Sequence, residues 1–201
     1  MTTKLNLTIR QGETFARVVR WETTPIVYKS ITAITVAAPA VLTVPAHGLP
    51  TGWRAAVISC NGMEEINAVN TPPRDNEYHV VTRLSTDSIE LNGVNSADYT
   101  TYTGGGFLQF YTPVDLVSAS AAMKIKDKIG GVVLMTLTSG APDNRIVLDS
   151  AAHTITITIS ATDAAAITWT KGIYDLEMTT PTSVVTTIFS GKVSVVKEVT
   201  T

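Results

Sequence analysis

The chain has a single cysteine, Cys60, in 201 residues. An internal disulfide is therefore excluded, and no second thiol exists for a metal or redox pair. Charge is scarce as well. Asp, Glu, Lys and Arg together make 16% of the residues and leave a formal net charge of −2, so nothing steers the whole molecule to nucleic acid or to an anionic membrane. No apolar run approaches the ~20 residues that a membrane helix needs. The first residues, Met1-Thr-Thr-Lys-Leu-Asn6, lack the basic region and apolar stretch of a secretory signal, and the expectation is a protein made and folded in a reducing cytoplasm.

The chemistry of common sites is equally thin. His47, His79 and His153 share no ligand spacing. His47, in a His-Gly-Leu turn, reads as a packing residue with catalysis as the alternative; His79 and His153 read as strand residues facing solvent or a neighbour. There is no Gly-x-Ser-x-Gly elbow. Gly104-Gly-Gly106 lacks the Lys-Ser/Thr of a phosphate loop and reads as a turn. Glu64 and Glu65 would point to opposite faces of an extended chain, which is poor geometry for paired acid–base work. Asp75, Glu77 and His79 would alternate onto one side of a strand, the only grouping with metal-ligand character. Cys60 stands at a strand end with no adjacent base, so a structural thiol is weighed over a nucleophile. No catalytic, cofactor-binding or metal-ligating residue is assigned, no cofactor is expected, and the chain is not expected to be an enzyme.

What the sequence does contain is β structure. Thr, Val and Ile are stiff at χ1 and favour pleated surfaces. Residues 153–160 (HTITITIS) alternate strictly, so Ile155, Ile157 and Ile159 should face a core while Thr154, Thr156 and Thr158 face out. Residues 4–9, 15–21, 121–126, 132–138 and 192–197 read the same way, punctuated by Gly12, Gly130-Gly131, Gly140, Gly172 and Gly191. One short helical stretch is expected at 162–167, with Thr162 as a candidate cap. Trp21, Trp169 and Tyr174 are expected in one core. The low charge (16%) suits a surface that is packed against neighbours.

Residues 31–106 have their own rhythm of short strands. These are expected at 41–44, 53–59, 78–82, 88–91 and 107–111, with a hairpin signal at Asn61-Gly62 and a turn at Asn92-Gly93. Tyr99, Tyr102, Phe107, Phe110 and Tyr111 cluster near the exit. They read as core and junction packing or, alternatively, as a sugar-stacking surface.

The order Pro39-Ala-Val-Leu-Thr-Val44, His47-Gly48-Leu49, Gly52, Val57-Ile58-Ser59, Gly62-Met63, Ile66-Asn67, Tyr78, Val80, Ile89, Leu91-Asn92-Gly93-Val94, Tyr99, Tyr102 and Gly104-Gly105-Gly106 resembles a recurring small β-barrel. That unit is found inserted or repeated in tailed-phage virion proteins and is named after the first catalytic-cysteine half-domain of ubiquitin-activating enzymes (FCCH-like). Ubiquitin chemistry does not come with the name, because the adenylation glycine motif and the second catalytic half-domain are missing. Residues 69–76 (VNTPPRDN) are longer than the usual step from the asparagine to the next strand. The flanks, with Gln11-Gly-Glu-Thr-Phe15, Trp21, Pro113-Val-Asp-Leu116, Gly172-Ile-Tyr-Asp-Leu-Glu177 and Gly191-Lys-Val-Ser-Val195, are similar to the N-terminal sandwich of phage baseplate and fibre-anchor proteins.

The resemblance implies an all-β fold: a discontinuous, Ig-like β-sandwich from residues 1–30 and 112–201, carrying a small β-barrel at 31–111. Insertion at a hairpin tip is cheap, since loop-closure cost grows slowly with length. It implies a structural component of a tailed bacteriophage particle, at the collar, tail-fibre anchor, baseplate or capsid decoration. The expected location is the virion, after synthesis in the host cytoplasm. The expected partners are other virion proteins and copies of the same chain in a homo-oligomer, with no nucleic acid and no membrane. A carbohydrate- or receptor-binding module of a phage tail, with a glycan as ligand, is the alternative.

Overall fold

The computed structural model describes residues 3–198. The fold is all-β, of β-sandwich type. In chain order its strands are β1 (Thr3–Lys4), β2 (Leu7–Arg10), β3 (Phe15–Val19), β4 (Glu22–Ser30), β5 (Ala33–Ile34), β6 (Ala40–Thr43), β7 (Arg54–Asn61), β8 (His79–Arg83), β9 (Ser88–Leu91) and β10 (Gly104–Pro113). After them come β11 (Ser120–Lys126), β12 (Val133–Thr138), β13 (Ile146–Asp149), β14 (Thr154–Ile159), β15 (Lys171–Thr179) and β16 (Val185–Val196). One short helix, α1 (Ala161–Ala165), precedes β15. The chain divides into two compact units, one from the segments up to Trp21 and from Asp115 onward, the other Glu22–Val114.

The first unit is a sandwich. Its larger sheet runs β1-β16-β15-β11-β12, with β2 also on β16, and its smaller sheet runs β13-β14-β3. The alternation in β14 does what its period demands. Ile155, Ile157 and Ile159 are buried, packed with Ile9, Met123, Ile125, Leu137, Leu176 and Met178. The threonines between them are half-buried rather than open, because β14 is the central strand and Val18 and Val147 flank Thr156 in one row. Tyr174 is buried and its hydroxyl donates to Leu5 O at 2.7 Å; burial pushes that phenol up to about 12. Trp21 and Trp169 pack on the edge of the same core.

Two local expectations for this unit are corrected. Residues 4–9 are not one strand. The chain steps between β1 and β2, where Asn6 Oδ1 accepts from Lys192 N (3.0 Å) and Leu5 N donates to Ser190 O (2.9 Å), and Gly191 leaves room for the Leu5 carbonyl. Both pieces then run parallel to β16. The helix is capped by Ser160 rather than Thr162, its side chain accepting from Asp163 N at 3.0 Å, which places the cap one residue before the first helical position.

The second unit is a small barrel. Its sheet runs β4-β10-β7-β8-β9-β6-β5. The two end strands are separated only by Ile31 and Thr32, whose amides donate to Gly106 O (3.1 Å) and Thr43 O (2.9 Å) respectively. The chain therefore leaves the β10 side and joins the β6 side without a break, and the sheet closes on itself. Trp53, Leu42, Leu49, Met63, Ile89, Leu91 and Leu108 fill the interior. The strand Glu22–Ser30, placed with the sandwich on sequence, pairs along β10 through Glu22, so the units part at Trp21/Glu22 and Val114/Asp115.

Two turn signals do something else here. Asn61-Gly62 is not a hairpin. Gly62, at φ +82°, leads into a 3-10 turn at Glu64–Ile66, and β7 meets β8 only at Arg54 and Ala55. Gly104, Gly105 and Gly106 are not a free turn but the first residues of β10, all with positive φ. A side chain at Gly106 would collide with the thiol and backbone of Cys60, so only glycine fits where the β7–β10 ladder skips Ser59.

Candidate functional site

Cys60, His47, Glu65 and Glu77 are each held by their immediate surroundings. Cys60 is buried in the barrel core and its thiol is pushed up to about 11 by burial, away from the thiolate that chemistry would need. His47 is also buried. Its Nδ1 accepts from Leu49 N at 3.0 Å, which leaves the proton on Nε2, 3.1 Å from Ser85 O. It stitches two turns together. His153 lies in the turn before β14, at φ +51°, rather than in the strand. His79 opens β8 half-buried, and burial lowers its pKa.

The metal-like trio does not assemble. Asp75–Glu77 is a 3-10 turn, so Asp75, Glu77 and His79 do not alternate on one strand face. Among the described residues no cluster of His, Cys, Asp and Glu has metal-site geometry. Glu77 is occupied instead by the backbone. Its Oε1 accepts from Val69 N (2.7 Å), Asn70 N (3.0 Å) and Asn70 Nδ2 (3.1 Å), and its Oε2 from Arg74 N (2.6 Å). These bonds, that from Arg74 first, hold the carboxyl down at about 2. The long 69–76 segment is thus a loop wrapped around one carboxylate, with Val69 91% exposed at its start.

Glu65 plays the same part nearby, its Oε1 accepting from Thr100 N (3.0 Å) and Thr100 Oγ1 (2.9 Å), and its own backbone amide, followed by these two donors, lowers its pKa. Between these loops lies a shallow hollow of about 270 Å3 whose wall includes Asn76, His79, Asn95 and Tyr99. The aromatic cluster read from the sequence is divided. Phe110 is in the barrel core, Tyr99 and Tyr102 pack on its edge, and Phe107 is 42% exposed.

Two constellations were not visible in the sequence. In the first, Asn67 imitates a strand: Cys60 N donates to its Oδ1 (2.8 Å) and its Nδ2 donates to Cys60 O (3.0 Å). It occupies the place where β8 has parted from β7. In the second, the Arg54 guanidinium grips Glu22 through Nε (2.5 Å) and Nη2 (3.0 Å), reaches Asp75 through Nη1 (3.3 Å), and lies 4.9 Å from the Tyr78 ring centroid. Tyr78 in turn accepts from the buried Gln109 at 2.9 Å. The Glu22 hydrogen bond is the largest cause of a raised Arg54 pKa. Planar, bidentate and stacked, this is an arginine's site and not a lysine's. The five partners span residues 22 to 109, and no local spacing announces them.

The remaining candidates are surfaces. On the outer face of the small sheet, Val18 (55% exposed) and Val147 (54% exposed) lie on either side of Thr156, with Ala16, Thr154, Thr158 and the exposed Asp149 around them. Ile129 is 92% exposed at the β11–β12 turn and Val132 70%. No family model matches the chain, and no curated protein does.

Proposed function

We propose that the protein is a structural subunit of a tailed-bacteriophage particle, acting by assembly with copies of itself and with other virion proteins. The observation that carries this reading is the uncharged Val18–Thr156–Val147 row on the outer face of the small sheet. Exposed apolar side chains in one row across a β face have the composition of an interface centre, where charge is depleted, and the charge of Asp149, opposite Thr154, lies at its rim. The resemblance of the flanks to fibre-anchor sandwiches and of residues 31–106 to an FCCH-like barrel supplies the setting: collar, fibre anchor, baseplate or decoration.

Mechanism here is buried area. A subunit contact of this kind covers more than ~1,000 Å2. The test is native mass spectrometry and sedimentation of the wild type beside Val18→Glu and Val147→Lys. The expected result is an oligomer that each single variant dissociates while circular dichroism stays unchanged. A wild type that remains monomeric at its highest soluble concentration would overturn the reading. The hollow bounded by Tyr99, Asn76 and Asn95 favours a second reading, a glycan- or receptor-binding module, in which Tyr99→Ala abolishes binding on a glycan array.

A further inference from the structure

The sandwich has two sides where the edge of one sheet approaches the edge of the other, and they are finished differently. On one side β12 and β13 are laced together. Arg145 Nη2 donates to Thr136 O (2.6 Å), Thr138 N donates to Asp143 Oδ2 (2.5 Å), and Arg145 pairs with Asp143. Two outward backbone groups of β12, Thr136 O and Thr138 N, which would otherwise invite another strand, are taken up by this segment. On the other side β2 pairs only with β16 and β3 only with β14 among the described residues. The two strands leave a shared turn, where Glu13 N donates to Arg10 O, and diverge into different sheets. Between them lies a groove of about 420 Å3 walled by Leu7, Thr8, Arg10, Phe15, Ala16 and Arg17.

The direction of the backbone groups along this groove follows from the ladders. Leu5 N bonds to Ser190 O and Gln11 N to Val196 O. A parallel ladder uses alternate residues, so the odd-numbered residues of β2 serve β16, and the N–H and C=O of Thr8 face the groove. In the small sheet Thr158 N bonds to Arg145 O, so the threonines of β14 serve β13 and its isoleucines serve Phe15, Arg17 and Val19. The N–H and C=O of Ala16 therefore face the groove from the opposite wall. Both walls of the groove thus offer free main-chain groups to an extended segment laid in it. Leu7 and Phe15 offer it an apolar floor, since both belong to the sandwich core. Arg10 and Arg17, both exposed, line the groove with Glu13, and the Glu198 carboxylate lies against Gly12 in the turn that joins the two strands.

We propose that this groove is a strand-addition site, which takes an extended acidic segment of a partner protein between β2 and β3 and so closes the open side of the sandwich. Main-chain bonds supply the affinity and the arginines select for carboxylates. The proposal stands whether or not the particle reading is right.

The probe is a display library of random peptides of about ten residues, roughly the upper length of a natural strand. Peptides that alternate β-branched residues with Asp or Glu should be enriched on the wild type. The amide signals of Thr8 and Ala16 should shift on titration and gain exchange protection. Ala16→Pro removes a groove-facing N–H at an edge position, where proline is tolerated, and should weaken binding about tenfold or more. Arg10→Glu with Arg17→Glu leaves the ladder intact, so it serves even if the proline variant does not fold; it should reverse the preference to basic peptides. The absence of enrichment, enrichment of basic peptides on the wild type, or binding untouched by both variants would overturn the proposal. Self-association that Ala16→Pro abolishes would assign the groove to a second copy and likewise overturn it.

Discussion

Replacing Asn67 tests the least ordinary piece of the barrel, a side-chain amide that stands in for a strand. Cys60 is 3% exposed, and both its N–H and its C=O are satisfied by Asn67. Asn67→Ala leaves two backbone groups without partners. Each such group costs ~1–3 kcal/mol when dry, and because Asn67 is half-buried and water can reach part of the gap, the sum falls at about 2–4 kcal/mol. Asn67→Asp separates the amide's two roles. At neutral pH the introduced carboxylate still accepts from Cys60 N, but it cannot donate, and its second oxygen faces the Cys60 carbonyl. Protonation restores a donor beside an acceptor. The introduced carboxyl should thus have a folded pKa raised above the ordinary ~3.9. Its bridging contribution is then fully present below the unfolded pKa and lost as pH rises through the folded one. Urea unfolding followed through barrel amides, with Ile155 and Leu176 amides as an internal control for the sandwich, reads the difference from wild type at each pH. The deficit of Asn67→Asp should shrink between pH 7 and about pH 4. A deficit that is equal at both pH values, or an Asn67→Ala cost below ~0.5 kcal/mol, would refute the bridge.

The other expectations are more direct. Ile157→Ala should cost ~2–5 kcal/mol and Thr156→Ala under ~1, by chemical denaturation, because one side chain is fully buried and the other is not; equal costs would mean the small sheet is covered on both faces. The Glu77 carboxyl, held down at about 2, should contribute fully above the ordinary carboxylate pKa of ~4.3 and lose its hold on the 69–76 loop as pH falls toward 2. A carbon-detected titration of Glu77 near the ordinary ~4.3, or a loop no more sensitive to pepsin at about pH 2.5 than its neighbours, would contradict this. Gly106→Ala should unfold the barrel, whereas Gly93→Ala, whose added carbon meets nothing, should cost only the ~1–2 kcal/mol of left-handed strain, as compared by thermal melts. Cys60, with its thiol at about 11, should not react with Ellman's reagent in the native protein at neutral pH; rapid labelling without unfolding would show the site to be open.

The strands were legible in the sequence because their information is local. A period of two in residues 153–160 tells which face is buried before any partner is known, and the branched residues of β11, β12 and β16 set their own backbone. A carboxylate, an amide or a glycine carries no such mark. Nothing near Asn67 says that its amide will serve Cys60, and nothing near Arg54 names Glu22, Asp75 and Tyr78. Gly104-Gly-Gly106 looked like a turn because glycine signals a positive φ, yet what excludes a side chain at Gly106 is the neighbouring Cys60, about 45 residues earlier in the chain. Residues 4–9 alternated like a single strand, but Gly191 and Lys192 across the ladder broke it in two. Closure belongs to the tertiary structure as well. The barrel shuts because Ile31 and Thr32 bond in succession to β10 and β6, and one side of the sandwich is laced while the other stays open because Arg145 and Asp143 reach β12 and, among the described residues, no strand pairs with both β2 and β3. Periodicity decides which face of a strand is buried; which edge is left for a partner depends on residues that meet only after the chain has folded.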